Sequence, residues 1–401
     1  MRRINRREFI KMGLSSLSVI AVGSHIKVPG MFGKNEALAA AISVNLTITD
    51  ALVEMIDLTP VYHWVFDDGG GPRFPGPLII VEEGDDVTFN ITNALDEPHA
   101  VAISGTKINS GLVNPGQQRP MVFTAPAAGT YIYYDPLNAP VNRVLGLHGV
   151  LIVLPRGTPN IPYSIPTPNV QQLFADLGTT AHFPGNPWNP ARTFVWVVHQ
   201  IDPLLNALAE PAGAPPINRI NFVNQFLPRY FTITGKSGHF VVEDEEVTPN
   251  GRVGQPALVR IVNTGLATES LHIHANHVYP VAINGVVQSN VHYIDTMTSG
   301  PMDRIDWLVP FIRPPDIPVK PGNPGGNAPF QNQPIIRFDA SDELAFITTP
   351  NNIQLSPMDY PMHDHMEPSQ TAAGGNYNAG LLSHIIFTGD IDGVDFPRQP
   401  G

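Results

Sequence analysis

This chain of 401 residues contains no cysteine. Disulfides, iron–sulfur clusters, zinc ribbons and thiol nucleophiles are therefore excluded, and the fold must rest on its hydrophobic core. Long apolar runs are also absent, so the sequence predicts no membrane-spanning helix. Basic residues are few, since 23 Lys and Arg stand against 35 Asp and Glu, with a formal net charge of −12. That balance argues against nucleic acid or a membrane surface as a partner.

Long stretches with helical periodicity are missing as well. Short runs of β-branched and aromatic residues are instead separated by turns rich in proline and glycine, which number 42 and 35. In "VEEGDDVTFNITN", Val87, Phe89 and Ile91 alternate with polar residues, as expected of a strand with one buried face. The pattern predicts an all-β protein built from antiparallel sandwiches.

The strand pattern occurs twice along the chain. The stretch from Tyr230 to Gly265 has the same plan as "PLIIVEEGDDVTFNITNAL" in the first half, which predicts two sandwich domains. We place them at residues 41–157 and 192–393. Residues 158–191 are predicted to form a proline-rich linker that is extended over the surface. A second stretch rich in proline and glycine, residues 311–334, is interpreted as a long functional or interface loop.

The N-terminus carries an export pattern. "NRREFIKMG" sets paired arginines before a mildly apolar run that is too short to span a bilayer, and Ala37-Leu38-Ala39 offers small residues for cleavage. This arrangement resembles a twin-arginine signal peptide, which we assign to residues 1–40. We therefore expect a periplasmic or extracellular protein.

Two His-x-His segments are the main candidate site. "LHIHANH" contains His272 and His274, and "MHDH" contains His363 and His365. Residues i and i+2 of a strand project from the same face, so each pair delivers two imidazoles side by side. If the two strands are neighbours, four imidazoles converge, and such a group suits copper, with zinc as the second choice.

These segments resemble the C-terminal cupredoxin domain of multicopper oxidases. That domain has a His-Pro-x-His-x-His segment and a His-Cys-His-x-x-x-His segment, and the first half is similar to an N-terminal cupredoxin domain through "FPGPLIIVEEGDDV" and "GLHGVLIVLP". The resemblance covers most of the chain after residue 40 and is closest to the small, two-domain laccases. It implies two cupredoxin-like Greek-key β-sandwich domains.

The sequence departs from this family at the blue copper site. The residues at the positions of its ligands are Glu269, Asp364 and Ser369, none of which is a histidine or cysteine. Without a thiolate and two imidazoles no blue copper site can form. We expect the three residues to be solvated or capping groups. The alternatives are that Asp364 is a carboxylate that supports the metal ligands and that the three residues form a hard-cation site.

The first domain lacks the copper ligands of the family. Its His-x-His-Gly motif is replaced by residues 102–105 (Ala-Ile-Ser-Gly) and its Tyr-His-x-His motif by residues 133–136 (Tyr-Tyr-Asp-Pro). The resemblance therefore implies that His272, His274, His363 and His365 remain to bind one well-held metal or two poorly held ones, opposite a wall of Ala102, Ser104, Tyr134 and Pro136. Tyr134 is our candidate for a catalytic hydrogen-bond donor or proton carrier, and packing in the core is the alternative.

Several further residues are weaker candidates. His277 lies three residues after His274 and could reach the same metal if the strand turns there. His99 and His148 are interpreted as structural. Met358, Met362 and Met366 flank the second histidine pair, and we favour core packing over binding of Cu(I) for them.

The favoured function is a copper-dependent oxidoreductase in which a small-molecule substrate or dioxygen meets the metal directly. The alternatives are a non-catalytic cupredoxin scaffold and a protein that buffers copper. Two-domain relatives are similar to one another in forming ring-shaped homotrimers. The resemblance therefore predicts a trimer in which Ala102, Ser104 and Tyr134 of an adjacent subunit cover the site.

Overall fold

A computed structural model describes residues 39–157, 160–213, 215–242, 244–314, 359–370 and 379–395. All but the last two residues of the predicted signal peptide, Met358, and all but the first four residues of the predicted 311–334 loop lie outside these ranges. Strands dominate the described residues, and no helix among them is long and apolar enough to cross a membrane.

The strands form four sheets that are stacked as two sandwiches. The first sandwich contains β1 Ala41–Glu54, β2 Pro60–Asp67, β3 Ile79–Glu82, β4 Asp86–Asn93, β5 Ala102–Ile103, β6 Gln118–Thr124, β7 Gly129–Tyr134 and β8 His148–Leu154. The second contains β9 Thr193–Ile201, β10 Tyr230–Ile233, β11 Asn250–Arg252, β12 Ala257–Asn263, β13 Glu269–Ile273, β14 Tyr279–Ile283, β15 Val286–Val287, β16 Thr296–Ser299, β17 Arg304–Val309, β18 Asp359–Asp364 and β19 Leu382–Gly389.

Helices among the described residues are short. They are α1 Val141–Val144, α2 Pro168–Asp176, α3 Pro203–Asn206, α4 Arg219–Gln225, α5 His239–Val242 and α6 Glu367–Gln370, with one 3-10 turn at Ala207–Ala209. The fold is therefore all-β, and the predicted class of two cupredoxin-like Greek-key sandwiches is confirmed.

The first sandwich pairs the sheet β2-β1-β4-β6 with the sheet β3-β8-β7-β5. In β1, every second residue from Ile42 to Ile48 is buried. The inward side chains of β4 alternate in the same way, because Val87, Phe89 and Ile91 all face the core between the sheets. The two-residue alternation read from the sequence thus marks the inner face correctly.

The second sandwich pairs the six-stranded sheet β10-β9-β12-β17-β14-β15 with the five-stranded sheet β11-β19-β18-β13-β16. Its core includes the two fully buried tryptophans Trp196 and Trp307. Both predicted His-x-His segments lie in the five-stranded sheet, where β13 and β18 are antiparallel neighbours.

The two sandwiches are packed against each other through an apolar layer and a buried cation. Ile132, Val150 and Ile152 of the first sandwich contact Val197 and Val262 of the second. The Arg143 guanidinium donates hydrogen bonds across this joint to the Thr264 and Gly265 carbonyls.

The segment between the sandwiches is more ordered than the sequence predicted. Helix α2 begins after Thr167, whose hydroxyl accepts a hydrogen bond from the Val170 amide, and Pro168 supplies the first helical residue. Phe174 and Tyr163 are buried against the outer face of the six-stranded sheet. The expectation of a segment that is extended over the surface was therefore wrong for this part, because its apolar side chains have a sheet face to cover.

Candidate metal centre

The pairing of β13 with β18 brings the two His-x-His segments together. His272 lies directly opposite His363 in the antiparallel register, and the outward residues His274 and His365 flank this pair. The ring centroids of neighbouring imidazoles are 4.8 to 5.4 Å apart. The four histidines thus form one group on the outer face of the sheet, with His272 and His363 half-buried and the other two exposed.

Three of the four histidines have the geometry of a metal-binding group. Ligand nitrogens of His272, His274 and His363 all lie within 4.8 Å of one another. His365 lies beside them, with its ring 4.8 Å from that of His272, but it does not belong to this tight group.

Backbone and hydroxyl partners orient the rings. His272 Nδ1 lies 3.1 Å from the Asp295 carbonyl and 2.8 Å from Thr296 Oγ1. His363 Nδ1 lies 3.1 Å from the Asp364 carbonyl. A carbonyl oxygen only accepts, so Nδ1 carries the proton in both rings and Nε2 carries the lone pair. Partners of this kind orient metal-binding histidines in proteins.

The contact between His274 and His363 fits a bound cation. Their Nε2 atoms face each other at 3.1 Å, and two nitrogens at this distance can be joined only by a shared proton or by a metal ion. Nitrogen ligands lie about 2.0–2.1 Å from a metal such as zinc, so two of them on one ion are separated by a distance of this order. Burial and the neighbouring imidazoles His272, His363 and His365 lower the pKa of His274, which keeps its lone pair available at neutral pH.

Two carboxyl groups lie beneath the imidazoles, on the inner face of the same strands. Glu269 and Asp364 are fully buried, as is Ser369. The expectation that these three residues are solvated was therefore wrong, although a capping role is present: Asp364 accepts from the Met366 amide at 3.1 Å and Ser369 Oγ accepts from the Leu381 amide.

Glu269 holds a proton in this environment. Burial, a hydrogen bond to Asp364 and the charge of Asp364 raise the pKa of Glu269 to about 10. Its Oε1 accepts from Gln200 Nε2 at 2.7 Å. Two ionised carboxylates cannot hydrogen-bond to each other, so the proton on Glu269 is what allows the bond to Asp364.

The structure does not bring the predicted Tyr134 to the histidines of its own chain. This side chain lies at the end of β7, opposite Ala102, and is packed at the joint between the sandwiches. No hydrogen bond or ring contact among the described residues joins it to His272, His274 or His363. Ala102 and Ser104 are themselves buried, with 8% and 7% of their surface exposed.

The weaker candidates have other partners. The His277 ring contacts Tyr293 at 4.8 Å, and Met362 is buried in the core. His99 Nδ1 donates to Asp135 Oδ2 at 2.6 Å, and His148 Nδ1 donates to the Arg143 carbonyl, so both are buried structural residues as expected.

The sequence analysis did not predict the bonded carboxyl pair of Glu269 and Asp364 or the groups that orient His272. The signal for the pair was present, because Glu269 occupies an inward position of a strand whose other inward residues, Leu271 and Ile273, are apolar. The partners of His272, Asp295 and Thr296, come from a different strand region that local sequence spacing does not identify.

Comparison with known proteins identifies the relatives of this chain. Residues 68–158 match the sequence model of the multicopper oxidase family. The chain is 32% identical over 107 residues to Multicopper oxidase MCE of Talaromyces pinophilus and 37% identical over 91 residues to the copper-containing nitrite reductase of Alcaligenes xylosoxydans xylosoxydans. These alignments cover 23% and 20% of this chain but only 17% and 28% of those proteins, so the chain matches less than a third of their length.

Solved structures match over most of the chain. The blue copper oxidase from Nitrosomonas europaea is 20% identical, with a TM-score of 0.56 and 86% of each chain covered. The copper nitrite reductase from the same organism is 17% identical, with a TM-score of 0.53 and 91% of this chain and 98% of that chain covered. At this identity they show the fold. Together with the sequence matches, they show a cupredoxin fold similar to that of multicopper oxidases and copper nitrite reductases.

The proton on Glu269 predicts a specific pH dependence of stability. A carboxyl group whose pKa is raised by folding stabilises the folded chain fully when the pH is below the ordinary pKa of the group. This stabilisation is lost as the pH rises toward about 10. The loss is at most about 1.4 kcal/mol per pH unit. The Glu269→Gln variant needs no added proton to bond to Asp364. In urea unfolding between pH 5 and 9, its free energy of unfolding should therefore rise relative to that of the wild type as the pH increases. Parallel curves for the two proteins would show that Glu269 is ionised in the folded chain.

Proposed function

We propose that this protein is an exported copper-dependent oxidoreductase in which a small substrate reaches the metal directly. His272, His274 and His363 would hold the ion and His365 would be the fourth ligand. The observation that carries the proposal is the facing pair of Nε2 atoms of His274 and His363, 3.1 Å apart, with a His272 nitrogen within 4.8 Å of both. Paired arginines Arg6 and Arg7 support a periplasmic or extracellular location.

Copper is favoured over zinc for two reasons. Divalent copper binds nitrogen sites more tightly than zinc does, and the related proteins are copper oxidases and copper nitrite reductases. When bound, copper supplies one-electron exchange between its two common oxidation states.

The residues of the chain determine how a substrate would meet the ion. His274 and His365 are exposed, so the site opens toward solvent and a small molecule, dioxygen or nitrite could approach from that side. The Asp295 carbonyl and Thr296 hydroxyl hold the His272 ring with its Nε2 lone pair available. A blue copper relay has no ligands here, because Glu269, Asp364 and Ser369 are buried in hydrogen bonds at the positions where the family has its ligands.

Copper binding is the first expected outcome. Purified protein should bind about one copper ion per chain, with zinc binding more weakly, and should show no intense absorption near 600 nm because that band requires a thiolate. Alanine at His363 or His274 should weaken binding by more than the roughly 10- to 100-fold that loss of an outer-shell partner costs. Alanine at His365 should have a smaller effect.

The exposed His239 provides a matched control for this series, because it lies on α5, away from the imidazole group. Its replacement by alanine should leave affinity unchanged in calorimetric titration. Metal content that survives loss of both His274 and His363 would place the site elsewhere in the chain.

The second expected outcome concerns substrates. Ordinary laccase dyes should be oxidised slowly or not at all, because they deliver electrons through a blue copper site that this chain cannot build. Small molecules that fit beside exposed imidazoles, including nitrite with an external reductant, should react faster in steady-state assays. Dye oxidation at laccase rates would refute the direct-contact proposal. Tight copper binding with no turnover of any substrate would favour the scaffold or copper-buffering function.

A homotrimer is the proposed assembly. A head-to-tail interface closes when three copies are related by rotation about one axis. Ala102 and Ser104 are buried within their own chain, so of the three proposed cover residues only the half-buried Tyr134 has surface to offer a neighbour. Light scattering coupled to size exclusion should give three times the chain mass, and the mass of one chain would refute the assembly.

A further inference from the structure

We infer that Glu269 and Asp364 are positioning residues for the imidazole group: a bond between the inner faces of β13 and β18 fixes the register that aligns the histidines on the outer face. The inference rests on the proposed metal site and adds two residues whose role is to hold the ligands in place.

The first step is the geometry of the two strands. On β13 the outward residues are Ser270 and His272, with His274 just beyond the strand, and the inward residues begin with Glu269. On β18, His363 points outward and Asp364 inward. Because side chains alternate, the carboxyl pair and the imidazole group lie on opposite faces of the same two strands.

The pairing register of β13 and β18 determines which side chains meet on each face. Asp364 lies opposite Leu271, so its inward neighbour on the diagonal is Glu269. A slip of one residue would turn the histidines toward the core, and a slip of two would end the diagonal contact between the two carboxyl groups, either by separating them or by placing them directly opposite each other. The diagonal contact between the two carboxyl groups, made together with the bond from the Ser270 amide to Asp364, is therefore specific to the register that places His272 opposite His363.

Asp364 accepts several hydrogen bonds around the second histidine pair. Its carboxylate accepts from the Ser270 amide on β13 and from the Met366 amide, which directly follows His365. Its carbonyl oxygen accepts from His363 Nδ1 and from Gln370 Nε2. One residue thus ties the second histidine pair to β13 and to the chain that follows His365.

Gln200 connects the carboxyl pair to the six-stranded sheet. Gln200 of β9 donates from Nε2 to Glu269, and its Oε1 accepts from the Leu266 and Ala267 amides. Both Gln200 and Glu269 are fully buried. The carboxyl pair is therefore tied across the interior of the domain to the six-stranded sheet as well as to the two histidine strands.

The test compares copper affinity in variants that keep or break these bonds. Asp364→Asn has the same shape, but its amide nitrogen must face the Ser270 or the Met366 N–H. We expect its Cu²⁺ affinity to fall about 10- to 100-fold, the range for loss of outer-shell partners, with a changed EPR spectrum of the bound ion. Glu269→Gln still offers an N–H to Asp364 and should retain wild-type affinity and spectrum.

A control separates positioning from stability. Ile261→Ala removes a fully buried side chain from β12 in the opposite sheet, so it destabilises the domain without touching the carboxyl pair. Urea unfolding of the copper-free proteins measures the stability of each variant. Ile261→Ala should bind Cu²⁺ as the wild type does. Should Asp364→Asn fail to fold, Glu269→Ala removes the cross-strand bond together with the bond from Gln200 and should weaken binding in the same direction.

Three outcomes overturn the inference. Wild-type affinity and spectrum in Asp364→Asn, or in Glu269→Ala where that variant replaces it, would mean that the bond does not position the imidazoles. An equal loss in Ile261→Ala would mean that affinity follows stability alone. If the wild-type chain binds neither Cu²⁺ nor Zn²⁺, the proposed function fails and this inference fails with it, whereas the first two outcomes leave metal binding intact.

Discussion

The antiparallel register between β13 and β18 is the constraint on which the candidate site depends. It sets His272 against His363 on one face and brings Glu269 beside Asp364 on the other. Register in a half-buried strand pair is strongly specified, because a slip of one residue exchanges the buried and exposed sets. The apolar inward residues Leu271, Ile273 and Met362 therefore help to specify an imidazole group that they do not touch.

The absence of cysteine changes the chemistry of the domain interior. At the position where the family has a thiolate, Asp364 accepts hydrogen bonds from two backbone N–H groups and from the protonated Glu269 carboxyl group. A buried carboxylate is costly unless it is hydrogen-bonded, and three donors satisfy that requirement. This interior position is thereby occupied by a hydrogen-bonded network, and the proposed metal site lies on the outer face of the sheet.

The fold was predictable from the sequence because alternation and turn residues are local signals. Val87, Phe89 and Ile91 marked an inner face, and the spacing of His272 and His274 marked an outer one. The ordered segment around α2 was missed because Tyr163 and Phe174 are buried by a sheet that follows them in the chain. The burial of Glu269 and Asp364 was not predicted for a related reason. A carboxyl group is expected to be solvated unless its hydrogen-bond partner is known, and these two partners are 95 residues apart in the sequence.

The two domains share one internal plan and differ mainly on the outer face. In the first domain Ala102 lies opposite Tyr134, as His272 lies opposite His363 in the second, and Asp135 follows Tyr134 as Asp364 follows His363. Asp135 is also buried. It accepts hydrogen bonds from the His99 ring and from the Leu137 amide, two residues further along the chain.

Another pair of equivalent residues supports the same plan. Asn93, the last residue of β4, donates to two carbonyls and accepts from the amide two residues on, and Asn263, the last residue of β12, does the same. The hydrogen-bonded frame is thus common to both sandwiches. Since the frame is shared, the domains differ in the side chains that it presents on this face, which are imidazoles in the second domain and Ala102, Ser104 and Tyr134 in the first.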